Sequence, residues 1–84
     1  MAEFERVAPQ VVQHRDGWRV QVADRFTVEL VDGDRATKVA ADLDGPVIRL
    51  HRGSLASAPV DADEVLSRIR AGFEAMNEQV EVVE

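Results

Sequence analysis

Two histidines are the first residues to consider for chemistry, because the chain contains no cysteine. A zinc site needs three or four ligands at compatible spacing, and neither His14 nor His51 belongs to an H-x-x-x-H or H-x-E pattern. Each is therefore predicted to be a residue on the surface of a strand. We expect no metal site.

A second candidate is the only basic island of the sequence, formed by Arg49, His51 and Arg52. Arg49 and His51 share one face of a predicted strand, and the backbone N–H groups of Gly53 and Ser54 could help to hold an anion. The alternative is a solvated outer face whose arginines pair with acids of the helix or of the C-terminal segment. The sequence leaves both interpretations open.

Four aspartates follow one another through two predicted turns, at Asp32, Asp34, Asp42 and Asp44. The spacing of a calcium loop is missing, and aspartate is a common turn residue. The serines lack a G-x-S-x-G context, and the sequence has no glycine-rich phosphate loop. We therefore predict a protein without enzymatic activity and without a cofactor.

Charge gives the strongest functional signal. The formal net charge is −6, and the range 61–84 holds seven acidic residues against two arginines, a local charge of −5. An acidic chain is a poor candidate for direct nucleic-acid binding, because phosphate contacts need cationic side chains. The acidic residues suit a basic protein partner; the alternative is that they form a solvated helix face that only aids solubility. The predicted partner-binding residues are Asp63, Glu64, Glu74 and Glu78.

One amphipathic helix, predicted from Asp61 to Gln79, must position these acids. Its apolar residues Val65, Leu66, Ile69, Phe73 and Met76 recur at three- and four-residue steps and define one face. Asp61 and Glu64 have the spacing of a capping box at its N-terminus. The helix needs an apolar partner surface, and the remaining chain predicts strands.

Alternating residues and turn signals predict these strands. Arg15-Asp16-Gly17 fits a three-residue hairpin loop that pairs Val12 with Val20, and Asp32-Gly33 fits a two-residue loop that pairs Phe26 with Val39 and Val28 with Thr37. A break or bulge is expected near Asp24, a turn at Asp44-Gly45-Pro46, and an edge strand at Val80–Val83. Trp18 is predicted to be a core residue, with a binding hot spot as the alternative.

The predicted fold class is α+β: an antiparallel β-meander of four to five strands, one C-terminal helix packed on it and a short terminal strand. The 84 residues predict a single domain, 1–84. We expect a cytoplasmic location and no membrane association, because there is no signal peptide and no long apolar run.

Val47–Leu55 and Asp61–Val83 together run as a short V-I-R-L strand, a Gly-Ser pair, a connector, an amphipathic helix and a valine-rich end. This order resembles small immunity proteins of bacterial polymorphic-toxin systems. The resemblance implies a cognate toxin bound by surface complementarity, without chemistry. It carries over no individual site residue.

Three hypotheses follow. The first is a stoichiometric inhibitor or immunity-type protein with a basic partner. The second is a self-associating module, a homodimer formed through a sheet edge. The third is a small anion- or ligand-binding domain that uses Arg49 and His51.

Overall fold

Short turns divide the chain into more strands than the alternation alone indicates. The computed structural model describes residues 3–56 and 58–83. Within them lie one α-helix, one short 3₁₀ helix at Arg52–Leu55 and seven strands, which form one sheet in sequence order. The strands are β1 (Phe4–Ala8), β2 (Val11–His14), β3 (Arg19–Asp24), β4 (Thr27–Asp32), β5 (Arg35–Asp42), β6 (Val47–His51) and β7 (Gln79–Val83). The α+β class is confirmed, and the predicted count of four to five strands was too low.

The sheet is mixed: an antiparallel meander is followed by one parallel strand, whose direction the sequence left open. Strands β1 to β6 pair antiparallel, whereas β7 pairs parallel to β6. A helix of 14 residues, α1 (Ala62–Ala75), connects β6 to β7. At 1.5 Å per residue it spans about 21 Å, enough to return the chain to the end of the sheet where β6 begins. A strand that follows such a crossover starts beside the start of β6 and is therefore parallel to it.

Of the two predicted hairpins, the first is confirmed and the second has a different register. The loop at Arg15–Gly17 is confirmed, with Val12 opposite Val20. In the second hairpin the loop is Gly33-Asp34, so that Val28 lies opposite Val39. The predicted pairing of Val28 with Thr37 was wrong by two residues. Gly33 has a φ of 62°, a conformation that favours glycine at the first position of a two-residue loop.

Helix α1 begins as predicted and ends earlier than predicted. At its N-terminus the Glu64 N–H donates to Asp61 Oδ1 at 3.3 Å. At its C-terminus Asn77 adopts the left-handed region (φ 65°), its N–H donates to the Glu74 carbonyl, and the Glu78 N–H donates to the Phe73 carbonyl. These two bonds form a Schellman motif and stop the helix four residues before Gln79.

The core lies between α1 and the inner face of the sheet. Ile69 and Phe73 of the helix are buried, as are Val20, Val28 and Val39 of the sheet. The helix lies close to β2 and β3 at Gly72, where an added Cβ would lie 2.9 Å from Val20 Cγ2 and 3.2 Å from Val12 Cγ1. A glycine is needed there because two buried valines occupy the space of a side chain.

Candidate functional site

The basic island is divided between two faces of the molecule. Alternation along β6 places Arg49 and His51 on the outer face, away from α1. There His51 Nε2 lies 3.0 Å from Asp42 Oδ2, and Arg49 Nε lies 3.9 Å from Glu81 Oε2. Arg52 follows the strand and forms an ion pair with Asp63 of the helix.

Each of these three side chains therefore faces a carboxylate of the same chain. This is the arrangement of the alternative interpretation, in which helix and C-terminal acids neutralise a solvated face. An incoming anion would have to compete with these carboxylates. Anion binding by Arg49, His51 and Arg52 stays a prediction.

A serine, a histidine and an aspartate come together beside the island, and sequence reasoning missed this group. The Ser54 hydroxyl donates to the His51 carbonyl oxygen at 2.8 Å and accepts from the Ala40 N–H at 3.1 Å. The His51 ring faces Asp42 and not the serine oxygen. A nucleophilic serine needs its proton directed to a base. Ser54 instead bridges two backbone groups, which ties the start of the 3₁₀ helix to β5.

His14 is a core residue, which corrects its predicted place on a strand surface. Its side chain is 7% exposed and stacks on Trp18 with ring centroids 4.4 Å apart, and the Phe4 ring packs edge-on against both. The Asp16 N–H donates to Nδ1 at 3.0 Å, and Nε2 lies 3.3 Å from Glu3 Oε1. In a neutral imidazole the ring nitrogen that accepts a hydrogen bond has no hydrogen of its own, so acceptance at Nδ1 leaves the ring N–H at Nε2, facing Glu3.

Trp18 is confirmed as a core residue, 8% exposed. The Arg68 guanidinium lies 5.2 Å from the Trp18 ring centroid, within the range of a cation–π contact. Arg68 also pairs with Asp32 at 3.1 Å and with Glu64 at 2.8 Å. The aromatic cluster and this arginine thus connect the helix to the first hairpins, a structural role.

The four acids predicted to bind a partner do not form one patch. Asp63 and Glu64 lie in the first turn of α1 and pair with Arg52 and Arg68. Glu74 lies ten residues beyond Glu64, about 15 Å along the helix. Glu78 lies in the turn that leads to β7. The structure brings Glu74 and Glu78 together at one end of the sheet and leaves Asp63 and Glu64 at the other.

A distinct acidic surface lies at the end of the molecule where helix α1 ends and strand β7 begins. We call it the acidic corner, and its exposed members are Asp44, Glu74, Glu78 and Glu81. Asp44 belongs to it because the β5–β6 loop lies at the end of the sheet where Val47 pairs with Gln79. The helix contributes the negative end of its dipole here, and its last turn contains no basic residue.

Basic side chains offset this corner only in part. Arg70 lies 3.4 Å from Glu74, in an exposed pair one helical turn apart, and Arg49 lies 3.9 Å from Glu81. Exposed pairs of this kind interact weakly because water screens them. The corner therefore holds four acidic side chains against these two arginines.

Within residues 3–56 and 58–83, no group of three or more histidine, aspartate or glutamate side chains is placed to hold a metal ion. In the same residues, no helix is long and apolar enough to cross a membrane.

Comparison with known proteins leaves the surface chemistry as the guide to function. No protein-family model, no curated protein sequence and no solved structure matches the chain.

Proposed function

We propose that the protein binds a basic protein partner through the acidic corner, by surface complementarity and without catalysis. The observation that carries the proposal is the position of Glu74 and Glu78 at the negative end of helix α1. Carboxylates there cost about 0.3–1 kcal/mol each, because they repel the helix dipole. A cationic partner bound here would be attracted both by these carboxylates and by the negative end of the helix dipole.

The corner is also accessible in a way that favours protein over small-molecule recognition. The Glu74 and Glu81 side chains are 53% and 58% exposed. Complementary charge at such a surface mainly accelerates association and selects among partners. A small ligand would need a concave site that buries most of its surface.

The partner class that we propose is a basic toxin, inhibited stoichiometrically by an immunity-type protein. Two observations support it: the acidic corner, and the order of strand, connector, helix and valine-rich end that resembles immunity proteins. A nuclease toxin carries a basic substrate-binding surface, which an array of carboxylates can occupy in place of phosphates. Cytoplasmic action fits this role and is part of the proposal.

The test is an affinity capture from the native host with a charge-reversed variant and a matched control. Glu74→Lys with Glu78→Lys reverses the corner. Glu5→Lys with Asp34→Lys makes the same change in net charge at exposed positions away from the corner.

We expect the wild type and the Glu5/Asp34 variant to retain the same basic protein at low salt after nuclease treatment, at one-to-one stoichiometry by light scattering. The Glu74/Glu78 variant should lose it. Equal loss in both variants would show that total charge, not the corner, determines binding. Retention by all three proteins would refute the proposal.

A further inference from the structure

The two edges of the sheet differ in how they are protected from further pairing. Exposed edge strands invite added strands, and proteins protect them with bulges, prolines and charged side chains. Strand β1 has these protections. Its register against β2 shifts between Arg6 and Ala8, Pro9 follows it directly, and Glu5 and Arg6 are exposed.

Strand β7 lies at the opposite edge and lacks the bulge and the proline. Its five residues pair with β6 in unbroken register, from Val47 opposite Gln79 to His51 opposite Val83. In a parallel pair, roughly half of the residues of the outer strand direct their N–H and C=O groups away from the sheet. The five-residue strand therefore offers a regular row of donors and acceptors to another strand.

Side chains on both faces of β7 indicate what could pair with it. On the inner face, Val80 is buried and Val82 half-buried beside the helix. On the outer face, Glu81 is exposed, and Glu78 of the acidic corner precedes the strand. A cross-strand neighbour of Glu81 is favourable when it is basic.

A groove continues the inner face beyond β7. It has a volume of about 250 Å³ and lies between the helix and the strand. Its lining residues are Arg52, Asp63, Leu66, Ser67, Arg70 and Val82. An apolar side chain of an added strand would lie next to Val82 and extend toward Leu66.

We propose that β7 pairs with an extended segment of the basic partner, in which apolar residues alternate with lysine or arginine. This inference rests on the proposed function and specifies how the partner binds. Backbone hydrogen bonds to the β7 edge supply the register. Apolar side chains enter the groove, and basic side chains meet Glu81 and the other carboxylates of the acidic corner.

A second copy of the chain fits this edge poorly. The range 78–84 contains three glutamates and neither lysine nor arginine. Pairing two such segments brings like charges together across the new ladder, which is destabilising. The edge therefore favours a basic strand over its own copy.

The first test uses purified protein and a fluorescent heptapeptide of alternating lysine and valine. A second peptide of the same sequence carries backbone N-methyl groups on alternate residues, which keeps charge and side chains but removes donors on one edge. Both registers of methylation are measured. We expect the unmodified peptide to bind, and N-methylation in one register to weaken binding at least tenfold.

The same titration is repeated with Glu81→Lys and with Glu5→Lys, a matched reversal on the opposite edge strand. We expect weaker binding only for Glu81→Lys, together with slower amide hydrogen exchange in β7 of the wild type when peptide is bound. Equal binding of methylated and unmodified peptides would refute strand addition. Dimerisation of the free protein through β7 would also overturn the assignment of the edge to a basic partner.

The outcomes separate this inference from the proposed function. If capture of the partner depends on Glu74 and Glu78 but the two peptides bind equally, the acidic corner remains the proposed binding surface and strand addition to β7 is refuted. Failure of the capture experiment removes the proposed function whatever the peptides do.

Discussion

Replacing Gly72 with alanine tests the close packing of the helix on the sheet. At an ordinary position within a helix, this change stabilises a protein by about 1 kcal/mol, because glycine has the poorer helix propensity. Here the new Cβ would lie 2.9 Å from Val20 Cγ2, 3.0 Å from Val20 Cβ and 3.2 Å from Val12 Cγ1. Carbon atoms prefer about 3.5–4.0 Å.

The magnitude follows from how little the neighbours can move. Val20 and Val12 are 0% and 2% exposed, and rotation of a valine side chain does not displace its Cβ. The helix must therefore shift outward by roughly 0.5–1 Å to restore ordinary carbon contacts. Overpacking of this kind costs about 1–3 kcal/mol. Because three contacts are affected, we expect the upper part of this range and a net loss of about 1–2 kcal/mol after the gain in helix propensity.

The assay is urea unfolding, followed by the fluorescence of the single tryptophan, Trp18, and by circular dichroism. Val20→Ala removes the two methyl groups and provides the second arm of a double-mutant cycle. We expect the Gly72→Ala and Val20→Ala effects to be less than additive, with a coupling of at least about 1 kcal/mol. A Gly72→Ala variant more stable than the wild type, or an additive cycle, would refute the close packing of helix on sheet.

Two further predictions concern the helix. Phe73→Ala removes the side chain of a residue that is 2% exposed, and it should lower the free energy of unfolding by about 3–5 kcal/mol. A loss below about 1 kcal/mol in the same urea assay would mean that the core face of the helix is wrongly assigned. Asn77→Ala should lower the free energy of unfolding by about 1 kcal/mol, because alanine disfavours the left-handed conformation of this residue (φ 65°). Asn77→Gly should leave the free energy of unfolding unchanged, so equal melting temperatures for the two variants would contradict the C-terminal motif.

Alternation predicted which face each strand residue occupies better than it predicted register. Val28 is two residues from Phe26, and the predicted pairing sets Val39 opposite Phe26; all three are thus predicted on one face, and Val28 and Val39 are fully buried. Their pairing was missed because a slip of two residues leaves every side chain on its original face, so the pattern does not reveal it. The position of the loop decided the register, and Gly33 occupies its first position, not its second.

Phe26 shows where alternation fails. Its apolar side chain, two residues before Val28, is predicted to lie on the same inner face, yet Phe26 is 58% exposed. The Asp24 carboxylate accepts the Phe26 N–H at 2.9 Å, and Asp24 pairs with Thr27, so a tight turn interrupts the alternation. The expected break near Asp24 is confirmed, and the aspartate that caused it also placed Phe26 at the tip.

The sequence predicted the negative charge of the candidate site, but it did not predict how the acidic residues are arranged in space. Composition identified the acidic C-terminal part of the chain. The division of its acids depended on where Arg52 and Arg68 lie in space, because these arginines pair with Asp63 and Glu64 at one end only. The end of the helix at Asn77 was readable in principle, since asparagine is a common helix-terminating residue.

Strand β5 joins two parts of the sheet through few paired residues on one side, and this bears on how the protein could exchange segments between copies. This strand pairs with β4 through Arg35–Ala40, but with β6 only through Ala41 and Asp42. Helix α1 packs against β2, β3 and β4 and so supplies most of the remaining attachment of the range 47–83. Opening at this junction separates α1 from the sheet and exposes the core, so we expect the range 47–83 to leave as a unit at a free energy near that of global unfolding. Such a unit can close onto another copy that has opened in the same way, giving an intertwined dimer that uses native contacts throughout.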